Sequence, residues 1–106
     1  MANPWRGEVE LVIDGEVRVL RLTLGALAEL EAELQTGSLV DLVQRFEDGS
    51  CTSRDVLALI VAGLRGGGWR CAPRDLVDAQ IEGGPIAAAR VAAELLVRAF
   101  ALPTEA

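Results

Sequence analysis

The first regular pattern in the chain is an alternation of apolar and polar residues on both sides of Asp14-Gly15. Residues 8–13 and 17–22 each place an apolar side chain at nearly every second position. An Asp-Gly pair between two such segments is typical of a β-hairpin. We therefore predict a hairpin over residues 8–22.

The register of this hairpin depends on the length of its loop. A three-residue loop with Gly15 in the left-handed conformation sets Val9 opposite Val19 and Leu11 opposite Val17, which keeps one face apolar. A two-residue loop mixes charged residues into both faces. We therefore prefer the register of the three-residue loop.

After Thr23 the apolar residues recur at intervals of three and four, which is the periodicity of an amphipathic helix. Polar residues typical of helix starts and glycines typical of helix ends divide this part of the chain. The starts include Ser38 and Thr52. The predicted helices cover residues 24–35, a short second segment from 39 to 48, a third with its body at 56–64, a fourth at 73–82 and a last at 85–101.

The predicted fold class is α+β and predominantly helical, with an N-terminal β-hairpin followed by four or five helices. A chain of 106 residues has the size of one domain. We predict a single domain over residues 1–106, with the hairpin at 8–22 and a helical bundle at 24–101.

The last predicted helix is apolar around most of its circumference. Its only charged residues, Arg90, Glu94 and Arg98, are spaced by four and form one narrow stripe. Such a helix is either central to the monomer or partly covered by another chain. We expect a homo-oligomer. The alternative is a monomer with a groove beside this helix that binds another protein, its client, with Trp69 near the rim of the groove. The residues expected to pack the helix are Val91, Leu95, Leu96 and Phe100.

The charge of the chain bears on its partners. The net charge is −6, and residues 1–50 carry all of it, with ten acidic residues against four arginines. Nucleic acids and anionic membranes bind clustered basic residues, so we expect protein partners, with neither nucleic acid nor membrane. The first residues lack the pattern of a signal peptide, and no uncharged stretch reaches the roughly 18 residues of a membrane helix. We expect a cytoplasmic protein.

The composition also argues against catalysis. All ten basic residues are arginine, and the chain contains no lysine, histidine or tyrosine. Cys51 and Cys71 have no further ligands for a metal, and we interpret them as reduced thiols. The glycines 66–68 lack the lysine of a phosphate-binding loop and are interpreted as a helix terminator. We therefore expect a protein that is not an enzyme and has no cofactor.

Two tryptophans are candidates for contacts with a partner. Trp69 lies among arginines, and tryptophan and arginine are enriched at the centres of protein interfaces. The alternative is a tryptophan folded back over the edge of the core, and the same choice applies to Trp5. Leu96 is either a core residue or part of an interface. The interface candidates are Trp5, Arg65, Trp69, Arg70, Leu96 and Phe100.

Several segments carry a family resemblance. The most specific runs from strand to helix and reads Arg-Leu-Thr-Leu-Gly-Ala-Leu at residues 21–27. Further matching segments are residues 5–9, 20–31, 54–57, 63–66 and 83–89, and the match continues to Phe100. Together they resemble a family of small proteins from the morphogenesis clusters of gene transfer agents and tailed phages. The resemblance covers nearly the whole chain, and residues 66–82 match least.

Members of such families are described either as tail tube proteins or as tail assembly chaperones. A tube subunit needs many strands to close a ring, whereas this sequence has room for one hairpin. The resemblance therefore implies a chaperone that binds the tape measure protein and recruits tail tube subunits. Two alternatives stay open: a structural subunit associated with the tail tube and retained in the particle, and a small DNA-binding regulator built on the third and fourth helices.

Overall fold

A computed structural model describes residues 7–33, 39–70 and 73–100. In these ranges an antiparallel hairpin is followed by five helices, which confirms the predicted α+β, mainly helical class. The strands are β1 (Val9–Ile13) and β2 (Glu16–Leu20). The helices are α1 (Leu24–Glu33), α2 (Leu39–Asp48), α3 (Ser53–Gly66), α4 (Pro73–Val77) and α5 (Gly84–Phe100).

The predicted register of the hairpin is wrong. The loop contains two residues, Asp14 and Gly15, with φ angles of 52° and 81°. Two successive left-handed residues form the tight turn that matches the twist of the flanking strands. The pairing is therefore shifted, and Leu11 lies opposite Arg18. The conformation of the turn therefore sets the register, although this register places the charged Arg18 on the face of the hairpin that packs on the core.

The outer edge of β1 is covered from within the chain. The amide of Asp14 donates to the carbonyl of Gln80 at 2.7 Å, and the amide of Glu82 donates to the carbonyl of Val12 at 3.0 Å. These bonds form a bridge between Ile13 and Ile81. The fourth helix therefore ends at Val77, and its predicted extent of 73–82 is too long.

The outer edge of β2 lies against the end of α3. The amide of Arg21 donates to the carbonyl of Gly63 at 2.9 Å. A Cβ atom on Gly66 would collide with the carbonyl oxygen of Arg21, and one on Gly67 would collide with that of Val19. Gly67 caps the helix, as the sequence predicted for this run, but the same glycines also allow the helix to approach the strand closely.

Helix α3 is the centre of the core. Its residues Leu59, Ile60, Val61 and Leu64 are almost completely buried, and it packs against α1, α4, α5 and β2. Helix α5 contributes Val91, Leu95 and Leu96 to this core, as predicted, together with Ala88 and Ala92. The side chain of Phe100 lies outside the described residues, as do Trp5, Ser38 and Cys71.

Helix α3 begins with a capping box. The amide of Asp55 donates to the hydroxyl of Thr52 at 3.1 Å, and the amide of Thr52 donates to the Asp55 carboxylate at 3.0 Å. The sequence predicted this helix start. The buried Asp55 also accepts two hydrogen bonds from Arg45 of α2, so one carboxylate orders the connection between two helices.

Candidate protein-binding groove

An open groove of about 600 Å³ lies between the first half of α3, the short helix α4 and the start of α5. None of the lining residues in the described part of the chain is charged. They are Cys51, Thr52, Ser53, Val56, Leu57, Ile60, Leu76, Val77, Ala79, Ile81, Gly84, Pro85, Ala88 and Ala89. The groove can therefore hold apolar side chains, and it lies beside α5, where the sequence led us to expect a client groove.

The shape of the groove follows from the shortness of α4. Helix α3 is apolar on nearly all sides, and a five-residue helix covers only part of that surface. Ile60 and Leu76 are buried at the bottom, whereas Val56 and Leu57 are only partly buried. Val77 is 67% exposed at the rim. The groove is thus a concave site in which the folded chain leaves apolar surface uncovered.

The polar groups of the groove are few. The thiol of Cys51 is free and partly exposed, and the hydroxyl of Thr52 is engaged in the helix cap. Among residues 7–33, 39–70 and 73–100, no group of three or more acidic or metal-ligating side chains could hold a metal ion. The arrangement offers apolar contact, and we find no acid–base pair in its lining.

Trp69 does not line the groove. Its ring lies 4.0 Å from the guanidinium carbon of Arg18, and it packs against the edge of the core. Arg18 is also paired with Glu16 at 2.8 Å. The arginine that stacks over the ring is therefore Arg18 of β2. It is neither Arg65 nor Arg70, which lie near Trp69 in sequence. This placement corresponds to the tryptophan folded over the core edge.

The other interface candidates are dispersed. Arg65 is paired with Glu29 of α1 at 3.3 Å, Arg70 is exposed, and Leu96 is buried in the core. Trp5 and the side chain of Phe100 lie outside the described residues. The four candidates whose side chains are described, Arg65, Trp69, Arg70 and Leu96, do not line the groove. Their role as protein contacts stays a prediction.

Sequence reasoning therefore missed the residues of the groove itself. The sequence did contain one indication of the groove: the apolar surface around α3 is larger than the area that the short helix α4 can cover. The location of the groove depends on where α4 ends, and that end is set by the pairing of residues 80–82 with β1.

Within the described ranges, no helix has the length and apolar character needed to cross a bilayer.

Comparisons with curated proteins and with solved structures found no match. In contrast, residues 6–102 match the family described as "Phage tail tube protein, GTA-gp10", which is nearly the whole chain. This match supports a structural or assembly role in the phage tail, with tail proteins as partners. The chain belongs to the phage tail tube protein GTA-gp10 family.

Proposed function

We propose that the protein is a tail assembly chaperone of a gene transfer agent or prophage. In this role it binds the tape measure protein and recruits tail tube subunits, and it performs no enzymatic reaction. It acts in the cytoplasm of the producing cell, where it needs neither nucleic acid nor a membrane.

The observation that carries the proposal is the uncharged groove between α3, α4 and α5. An amphipathic helix binds a partner by laying its apolar side chains into such a groove. Leu57 and Val77 offer partly covered apolar surface on its two walls. A long helical client with repeated apolar positions matches this surface, and a tape measure protein is such a client. The net charge of −6 helps to keep the loaded complex in solution.

The hairpin favours a chaperone over a subunit of the tube wall. A ring of subunits that share a β-sheet requires free strand edges. Here residues 80–82 pair with β1, and Gly66 and Gly67 lie against the backbone of β2. Both edges of the hairpin are thus partly occupied within the described chain.

A non-enzymatic role is supported by the side chains available. The chain has no histidine, lysine or tyrosine, and the described lining of the groove contains no charged residue. Histidine is the side chain that most often acts as a general base near neutral pH.

The second candidate is a structural subunit associated with the tail tube. The family description favours it, since that description names a tube protein. Such a subunit remains in the mature particle, whereas a chaperone leaves it.

Substitution of Val77 tests the groove. Val77→Asp places a charge at an exposed position of the rim, so the fold should persist while the apolar contact is lost. The matched control is Val40→Asp on α2, because Val40 is equally exposed, at 70%, and does not line the groove. Binding to the tape measure protein of the same cluster should be measured by titration with purified components.

We expect Val77→Asp to weaken binding by about tenfold or more, the loss expected for a charge placed in a desolvated contact. Val40→Asp should bind like the unchanged protein. Equal affinities for all three proteins, or no binding by the unchanged protein, would contradict the proposal.

A further inference from the structure

The outward face of α5 carries two large apolar residues with little cover. Ile86 is 74% exposed and Val97 is 68% exposed. They are eleven residues apart, which is just over three helical turns, so both side chains lie on the same face. Ala93 lies between them on that face and is only partly buried. The monomer thus leaves an apolar stripe along about 16 Å of helix.

Two opposite charges flank this stripe. Arg90 and Glu94 are both exposed, and they lie one turn apart on the same side of the stripe. Glu94 is 3.6 Å from Arg98 of its own helix, with almost half of its side chain accessible. From the start of the helix to its end, the order is apolar, positive, negative, apolar.

This order is complementary to itself when a second helix runs in the opposite direction. An antiparallel pair centred near Ala92 places Ile86 opposite Val97 of the partner subunit. It also places Arg90 opposite Glu94 of the partner subunit, on the flank where each charge is exposed. A parallel pair would instead place the charged flanks of the two helices on opposite sides of the contact, so that neither Arg90 nor Glu94 would face a charge of the partner.

We propose that the outward face of α5 binds a second copy of this chain in an antiparallel, two-fold symmetric pair. A two-fold axis makes each contact occur twice, so one apolar pair and one ion pair become two of each. This inference goes beyond the proposed function and does not depend on it. Neither Ile86 nor Val97 lines the groove, and the groove variant Val77→Asp lies on α4, so the two surfaces can be tested separately.

The interface is small, because it consists mainly of one helix pair. Contacts of this size fall at or below the lower limit of stable interfaces, of the order of 1,000 Å². We therefore expect an equilibrium between monomer and dimer in the micromolar range rather than a permanent dimer.

Disulfide trapping tests the direction of the pair. In the full chain with Cys51→Ser and Cys71→Ser, Ile86→Cys is introduced into one tagged version and Val97→Cys into a second version of different size. After mixing and mild oxidation, we expect cross-links between the two versions to exceed those within either version. Cross-links mainly within each version, or none above the level of a mixture lacking the new cysteines, would overturn the antiparallel pair.

Sedimentation over a range of concentrations tests the residues. Ile86→Glu and Val97→Glu should each sediment as monomers, and circular dichroism should show their helices intact. Leu24→Glu is the matched control, since Leu24 is 85% exposed on α1, and it should dimerise like the unchanged chain. A strictly monomeric unchanged chain, or equal dimerisation of all these variants, would overturn the proposal.

A charge exchange provides a final check. Arg90→Glu should weaken the dimer by about tenfold, and Arg90→Glu combined with Glu94→Arg should restore much of it, because the opposite charges face each other again. A double variant that dimerises no better than Arg90→Glu would contradict the predicted pairing of these two residues.

Discussion

Arg45 and Asp55 join the end of α2 to the start of α3 through two parallel hydrogen bonds. The Nε and Nη2 atoms of Arg45 donate to the two carboxylate oxygens of Asp55, at 2.9 and 3.0 Å. The same carboxylate accepts the amide of Thr52 in the capping box. One buried side chain therefore satisfies a helix terminus and fixes the angle at which two helices meet.

Replacement of Asp55 should destabilise the fold. Asp55→Ala removes the carboxylate half of the capping box and leaves the half-buried guanidinium of Arg45 without its partner, which we expect to cost about 2–4 kcal/mol. Urea denaturation gives this difference directly. Glu47→Ala, at an exposed position of α2, is the control and should change stability by less than about 0.5 kcal/mol. If Asp55→Ala loses no more stability than the control, the contacts of Asp55 with Arg45 and Thr52 contribute little to the fold.

The Asp55 carboxylate should also make the stability of the fold depend on pH. Burial tends to raise the pKa of Asp55, but the hydrogen bonds from Arg45 and Thr52 outweigh it, and the pKa lies below its ordinary value. A carboxylate with a lowered pKa stabilises the fold above the pKa of the unfolded chain, near 4. That contribution should be lost as the pH falls below about 4, through the pKa of the folded state.

Denaturation midpoints between pH 3 and pH 7 measure this effect. The unchanged protein should lose stability more steeply on the acid side than Asp55→Asn, which has no carboxylate to protonate. Parallel pH profiles for the two proteins would rule out Asp55 as the source.

Substitution of the glycines at the end of α3, even by alanine, should destabilise the fold. Gly66→Ala and Gly67→Ala drive a Cβ atom into the carbonyl oxygens of Arg21 and Val19, respectively, so each should cost about 2–4 kcal/mol. Gly25→Ala is the control, because the nearest described atom to a Cβ there is the Thr23 hydroxyl oxygen, at 3.9 Å. In helix α1 that change should stabilise the protein by up to about 1 kcal/mol, measured by thermal or urea unfolding.

Trp69 should act on stability rather than on association. Trp69→Ala removes the ring that covers Arg18 and packs on the core edge, which we expect to cost about 1–3 kcal/mol. Arg70→Ala, at the exposed neighbour, should have little effect. Unfolding and client binding should both be measured. A stable Trp69→Ala protein that no longer binds its client would instead make Trp69 a partner contact.

Local patterns predicted most of the fold. The Asp-Gly turn, the apolar periodicity and the polar residues at helix starts indicated the hairpin and the helices. The last helix was predicted at 85–101 and extends over Gly84–Phe100. Its buried residues Val91, Leu95 and Leu96 were also predicted, among the apolar residues that make up most of its circumference.

The errors come from contacts between residues distant in sequence. The end of α4 was placed too late because residues 80–82 have a helical pattern, yet their backbone pairs with β1. The partner of Trp69 was sought among nearby arginines, whereas Arg18 precedes it by 51 positions. The sequence indicated a groove beside the last helix but not the residues that line it, because their positions depend on where α4 ends.

The fate of the protein during tail assembly tests the central claim most directly. The measurement is the number of copies per particle, by quantitative mass spectrometry, in purified mature particles and in assembly intermediates that contain the tape measure protein. If the protein is a chaperone, intermediates contain it in many copies and mature particles contain essentially none. Stoichiometric retention in mature particles, at a level comparable with tube subunits, would contradict the chaperone account and favour a structural subunit of the tube.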